Sequence, residues 1–127
     1  MGKNGYDLTK LTERKGINRN LVKLFFFNNE DYYNALTDFT ENFGRPLAHY
    51  TPDFVMNSPD DRALFIKDCM NIRATLMQLG LTYAIHELDV MENALWRGTT
   101  KEFSDGQIKF AASINIYTQV IKDAMNE

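Results

Sequence analysis

Histidine and cysteine are the side chains best suited to nucleophilic or metal chemistry, and this sequence has two histidines and one cysteine. His49 and His86 fall in different predicted helices, and neither has the spacing of a helical metal site such as His-Glu-x-x-His. Cys69 lies on the side of its predicted helix that faces the protein core, where free cysteine usually acts as a small hydrophobe. Glycine-rich phosphate loops and Gly-x-Ser-x-Gly elbows are missing from the sequence. We therefore expect no enzyme activity, no metal and no cofactor.

A different group of side chains could form a contact surface. Met70, Arg73 and Met77 follow one another at spacings of three and four residues, which places them on one side of a helix. That side points away from the apolar stripe of the same helix, so two thioethers and a guanidinium are expected to meet solvent together. Ala74 would keep the surface flat enough for a partner to approach, and exposed methionines form adaptable contact surfaces. The alternative is that the segment from 44 to 57 covers both methionines.

The helix that carries these residues has the clearest boundaries in the chain. Ser58 offers a capping hydroxyl, Pro59 suits the first helical position, and two aspartates follow in the first turn. The helix is predicted to run to about Leu79, and Gly80 is the predicted structural turn that ends it. Its buried stripe is predicted to consist of Phe65, Cys69, Ile72, Leu76 and Leu79.

Two further segments precede it. Apolar residues recur every three or four positions from Asn29 to Tyr50, which predicts a helix capped by Asn28 or Asn29. Gly44 and Pro46 interrupt this stripe, so we expect a kink or a short break there. A shorter helix is predicted from Asn18 to Phe27.

Two more helices are predicted after Gly80. Thr82 is the expected cap of a helix through Trp96 or Arg97, and Gly98 is the expected end of that helix. Ser104, three residues before Gln107, has the pattern of a capping box at the start of the last helix. The turn at Gly80 is so short that the helices on either side of it must be antiparallel.

The chain has the size and composition of one all-α domain. Its 127 residues include 44% hydrophobic residues, which is enough for a single core, and strand-like alternation is absent from the sequence. We predict one domain over residues 1–127, an up-and-down antiparallel four-helix bundle with a short extra N-terminal helix. Residues 1–16 are polar and are predicted to be flexible or loosely packed.

Charge and hydropathy limit the possible partners. The net charge is −3 and the basic residues form no stripe, so nucleic acid is an unexpected partner. No apolar run approaches the roughly 20 residues that span a bilayer, and no secretory signal is recognised, so we expect a cytoplasmic protein without a membrane partner. A small-molecule substrate is not expected either.

Several motifs, in order, resemble those of histidine-containing phosphotransfer (HPt) domains. The run Cys69-Met-Asn-Ile-Arg-Ala-Thr-Leu-Met-Gln-Leu-Gly80, followed by Met91-Glu92, is similar to the family's His-x-Leu-Lys-Gly-Ser, then Leu-Gly, then Leu-Glu in the next helix. The segment from Asn28 to Phe43 is similar to the family's second helix. The resemblance covers roughly residues 17 to 125, by pattern and helix order more than by identity.

The resemblance also assigns positions within the helix. It implies that Arg73 stands at the family's basic residue, Ala74 at its small glycine and Thr75 at its hydroxyl residue. The phosphorylated histidine falls on Met70. Phosphotransfer requires a nucleophilic imidazole that is largely neutral near pH 7, and a thioether provides no such nitrogen.

The resemblance therefore implies a binding function without catalysis. We expect an HPt-like module that binds the receiver domain of a response regulator or hybrid kinase through Met70, Arg73, Ala74 and Met77. One alternative is an active phosphorelay intermediate that uses His86 or His49. Another is a helical interaction or assembly protein unrelated to signalling, because one bundle architecture serves many functions.

Overall fold

The computed structural model describes residues 8–44 and 46–126, and the prediction of an all-α chain is confirmed for them. No β-strand occurs in this part of the chain, where Ile17 and Leu81 form an isolated bridge. The helices are α1 (Thr9–Thr12), α2 (Arg19–Phe25), α3 (Asn29–Asn42), α4 (Pro52–Asn57), α5 (Pro59–Leu79), α6 (Thr82–Arg97) and α7 (Thr100–Met125). Within the described ranges, no helix combines the length and apolar character needed to cross a membrane.

Side-chain caps fix the starts of three helices at the predicted positions. The side-chain oxygens of Asn18 and Asn28 accept hydrogen bonds from backbone amides in the first turns of α2 and α3, at 3.1 and 2.9 Å. The Ser58 hydroxyl does the same at the start of α5, at 3.4 Å. Each cap provides an acceptor for a backbone donor that has no partner within its helix. The predicted helix from Pro59 to Leu79 is confirmed.

The predicted start of the last helix was wrong. α7 begins at Thr100, and the side chain of Thr99 accepts a hydrogen bond from the Glu102 amide at 3.2 Å. Ser104 lies inside the helix, and the Gln107 side chain donates to the carbonyl oxygens of residues 47 and 50. The sequence contains two capping patterns five residues apart, and the earlier one is used.

The Thr82 cap was also wrong. Thr82 is the first residue of α6, and among the described residues no side chain caps that helix. The Thr82 hydroxyl instead donates to the carbonyl oxygen of Gly16 at 3.1 Å. The hydroxyl therefore joins the N-terminal segment to the start of α6.

The chain between α3 and α5 contains the predicted break and one unpredicted helix. α3 ends at Asn42, and Gly44 and Leu47 both have positive φ, at 62° and 68°. The short helix α4 then places Val55 in the core. Gln107 of α7 donates to two carbonyl oxygens of this connection, which holds it against the helices.

Two leucines of the N-terminal segment, which was predicted to be flexible or loosely packed, lie in the core, whereas most of its other described residues are exposed. Leu8 and Leu11 are buried, and the Tyr117 hydroxyl donates to the Gly16 carbonyl oxygen at 2.6 Å. Leu8, directly before α1, and Leu11, three residues later within it, lie on one side of this turn, which explains the packing. Residues 1–7, also covered by the prediction of looseness, lie outside the described residues.

Contacts between α5, α6 and α7 follow the order expected of antiparallel neighbours. At one end of the α6–α7 pair the Tyr83 amide donates to the Tyr117 hydroxyl at 2.9 Å, and further along Gly106 lies against Met91. On the other side, Tyr32 of α3 donates to the carbonyl oxygen of Leu79, which fixes α3 to the end of α5. The core between them is apolar, and the described part of the chain contains no buried polar or charged side chain.

Candidate functional site

The outer side of α5 presents the two methionines predicted from the helical spacing. The side chain of Met70 is 64% exposed and that of Met77 is 37% exposed. Ala74 lies between them and is also exposed. We call Met70, Ala74 and Met77 the α5 face. The alternative, in which the segment from 44 to 57 covers both methionines, does not hold.

Lys67 extends the α5 face by one turn toward the start of the helix. It is exposed, and its spacing of three residues from Met70 places it on the same side of α5. The surface is therefore apolar with a positive charge at one end. Such a surface suits a partner that offers apolar side chains beside an acidic group.

Arg73 does not join the α5 face, which corrects the prediction that its guanidinium meets solvent with the methionines. Its Nη2 atom donates to Asp89 at 2.5 Å and to Glu92 at 2.8 Å, both on α6, and its side chain is 27% exposed. Burial lowers the pKa of Arg73, but the hydrogen bonds to the two carboxylates outweigh burial and raise that pKa above its ordinary value. Arg73 therefore joins α5 to α6 as a fixed cation.

Cys69 lies in the core directly before Met70. Burial raises the pKa of the Cys69 thiol, and the neighbouring Glu92 carboxylate raises it further. Because the thiolate is the nucleophilic form, this cysteine is held in its unreactive state.

We expect native protein to resist alkylation at Cys69. Iodoacetamide at neutral pH should label the thiol only as fast as the chain opens, and urea concentrations that unfold the protein should make labelling fast. Mass spectrometry of the intact chain measures both rates. Full labelling of the native protein within minutes, with its circular dichroism unchanged, would contradict the buried position.

Neither histidine belongs to the α5 face. His86 is exposed on the outer side of α6, and His49 is exposed in the turn before α4. The His49 ring packs on the Tyr50 ring with centroids 4.3 Å apart. In the described part of the chain no hydrogen bond or ion pair orients either imidazole, so neither has the partner that usually positions a catalytic histidine.

The structure also exposes apolar side chains that were not selected from the sequence. Trp96 of α6 is exposed beneath the Arg62 guanidinium, whose central carbon lies 5.5 Å from the ring centroid. Ile108 and Ile116 are exposed on α7. Ile108 falls in the three-to-four-residue apolar stripe of the last helix, which predicts burial, and that prediction was wrong. Its spacing of eight residues from Ile116 could have indicated that the two isoleucines share one exposed side. The described residues contain no cluster of three or more histidine, cysteine or acidic residues suited to a metal ion.

Comparisons with known proteins found no relative for this chain. No family model matches it, and neither does any curated protein or solved structure. The resemblance to HPt domains therefore stays a prediction, and the function is inferred from the residues of the site.

Proposed function

We propose that the chain is an HPt-like four-helix bundle that binds a receiver domain through the α5 face and transfers no phosphate. In this proposal α3, α5, α6 and α7 are the four helices of the bundle, and α1 and α2 are N-terminal additions. The order of contacts from α5 to α7, which is that expected of antiparallel neighbours, and the hydrogen bond between Tyr32 and Leu79 support this arrangement.

A contact between two separate motifs also supports the resemblance. Arg73 lies in the Cys69-to-Gly80 run, and Glu92 lies in the second motif, Met91-Glu92. The two side chains form an ion pair at 2.8 Å. Motifs that are distant in the sequence but meet in one interaction are better support than either motif alone, because short patterns recur by chance.

The exposed thioether of Met70 is the observation that carries the proposal. The resemblance puts the family's phosphorylated histidine at this position, in the middle of an exposed helix side. A thioether lacks the nitrogen lone pair that accepts a phosphoryl group. The neighbouring Asn71 amide is not a nucleophile, and the Cys69 thiol is buried and protonated. What is left at this position is a surface for binding.

The α5 face has properties that favour reversible protein binding. Methionine side chains are flexible and polarizable, so they fit partner surfaces that differ in shape. Ala74 leaves room between them. A receiver domain is phosphorylated on an aspartate, and Lys67 provides a positive charge beside the apolar surface that would attract such a carboxylate. The surface is small, so the expected complex is transient.

The test is a titration of isotopically labelled protein with the receiver domains encoded in the genome from which the chain comes. We expect one of them to shift the amide and methyl resonances of residues 67 to 77 and to leave α7 unaffected. Met70→Asp should weaken that binding about tenfold or more, because it puts an unpaired charge into the centre of an apolar contact. Nuclear magnetic resonance spectra report both the site and the affinity.

Ile108→Asp is the matched control, because it puts the same charge on an equally exposed apolar position of a different helix. It should bind the receiver as the native chain does. If no receiver shifts the α5 resonances, or if the two variants lose binding equally, the receiver-binding proposal is wrong.

A further inference from the structure

The outer side of α7 is a second exposed apolar surface, separate from the α5 face. Ile108 is 66% exposed and Ile116 is 64% exposed, and exposed Ala112 lies midway between them. An exposed isoleucine is ordinary on its own, whereas two on one side of a helix, with a small residue between, form a contact surface. The proposed receiver binding does not use this surface.

The residues along this side of α7 are arranged symmetrically about Ala112. At about 100° per residue, seven exposed positions of α7 lie within about 40° of Ala112 around the helix: Lys101, Asp105, Ile108, Ala112, Ile116, Gln119 and Asp123. Ile108 and Ile116 lie four residues before and after Ala112, and Lys101 and Asp123 lie eleven residues before and after it. The two members of each pair are complementary, because they are either both apolar or opposite in charge.

The polar ends of the surface repeat the same symmetry. At one end Lys101 forms an ion pair with Asp105 at 3.1 Å. At the other end the Gln119 amide donates to Asp123 at 2.8 Å. Each end thus consists of a donor and an acid four residues apart. Asp105 lies seven residues before Ala112 and Gln119 seven residues after it. The two residues at this distance from the centre are therefore also complementary, because a carboxylate accepts hydrogen bonds and an amide group donates them.

We propose that this side of α7 is the interface of a symmetric, antiparallel homodimer centred on Ala112. Two antiparallel helices bring a residue before the centre of one against the equally distant residue after the centre of the other. Ile108 of one copy then lies beside Ile116 of the second copy, and Lys101 lies beside Asp123 of the second copy. The small side chain at the centre lets the two helix axes approach closely.

The charges along α7 favour a second copy of the chain, in antiparallel orientation, as the partner of this surface. A parallel pair of α7 helices would place Lys101 against Lys101 and Asp123 against Asp123, which is repulsive at both ends. An antiparallel pair makes the contact attractive at both ends. Two isoleucines and one alanine per copy form a small apolar centre, so the dimer is expected to be weak and concentration-dependent.

The test is sedimentation equilibrium of the full chain over a range of concentrations up to about 1 mM, where weak dimers populate. We expect a monomer–dimer equilibrium in the native chain, and Ile108→Asp should raise its Kd about tenfold or more. Met70→Asp, on the α5 face, should leave self-association unchanged. A native chain that stays monomeric throughout, or a dimer insensitive to Ile108→Asp, overturns the proposal.

A mixing experiment tests the antiparallel orientation. Lys101→Glu alone places a second carboxylate against Asp123, and Asp123→Lys alone places a second ammonium group against Lys101, so each variant should dimerise about fivefold more weakly than the native chain. In an equal mixture of the two variants, one end of the heterodimer pairs the two native side chains and the other end pairs the two substituted ones. Both of these ion pairs are attractive, so affinity should return to within about twofold of the native value. Failure of the mixture to recover affinity would refute the antiparallel pairing.

Discussion

Replacing Gly80 by alanine is expected to lower the free energy of unfolding by about 2–4 kcal/mol, a large part of the stability of a domain of this size. Gly80 has a φ of +73°, and a Cβ atom added there would lie 2.7 Å from the backbone oxygen of Asn18 and 3.0 Å from a methyl group of Val22. The left-handed backbone costs an alanine about 1–2 kcal/mol, and the overlap forces the N-terminal segment to move.

Gly80 also forms backbone hydrogen bonds at the end of α5 and at the start of α2. Its amide and that of Leu81 close the end of α5 by donating to Met77 and Leu76, at 3.1 and 3.0 Å. Its carbonyl oxygen accepts from the Asn18 amide at 2.7 Å, directly before α2. Movement of the Asn18 backbone would therefore disturb both the end of α5 and the start of α2.

Urea unfolding followed by circular dichroism at 222 nm measures the loss, and Gly44→Ala is the matched control. Gly44 also has a positive φ, of +62°, but a Cβ atom there would meet no atom of the described residues within 4 Å. Only the conformational cost of about 1–2 kcal/mol applies to it. If both variants lose the same stability, the close approach of Asn18 to Gly80 has no energetic effect.

The accuracy of the sequence predictions depended on the range of the interactions that determine each feature. Ser58, Pro59 and the acids after them act within one turn, so the start of α5 was predicted correctly. The start of α7 was not, because Thr99 with Glu102 and Ser104 with Gln107 both have the local capping pattern. What separates them is the contact of Gln107 with carbonyl oxygens at 47 and 50, which is distant in the sequence.

The residues of the candidate site divide in the same way, into those positioned by spacing within one helix and one positioned by contacts with another helix. Helical spacing alone places Met70, Ala74 and Met77 on one side of α5, and the structure exposes all three. Spacing also places Arg73 near them, but a long side chain can reach across to another helix. Its carboxylate partners, Asp89 and Glu92, lie 16 and 19 residues further on. No periodicity within α5 could have predicted that interaction.

Met70→His is expected to create a phosphoacceptor on the α5 face. The substitution puts an imidazole at the exposed position where the resemblance puts the family's histidine, and an exposed imidazole with a pKa near 6.5 is mostly neutral at about pH 7.5. In the reaction with a phosphorylated receiver, the ring nitrogen forms an N–P bond as the aspartyl P–O bond breaks. The aspartate leaves as a carboxylate, and the imidazole loses its ring proton to solvent.

The expected result is acid-labile phosphate on the Met70→His protein and none on the native chain, measured with a radiolabelled receiver. Met77→His is the matched control, since it puts an imidazole two turns further along the α5 face, where no transfer is expected.

Label on the native chain that disappears in His86→Ala or His49→Ala would instead establish an active relay with an unconventional acceptor. If Met70→His stays unlabelled by a receiver that binds the α5 face, that face does not align Met70 with the receiver's aspartate. Receiver binding would then still hold, but the HPt-like geometry would not. Met70 would not occupy the position of the family's phosphorylated histidine.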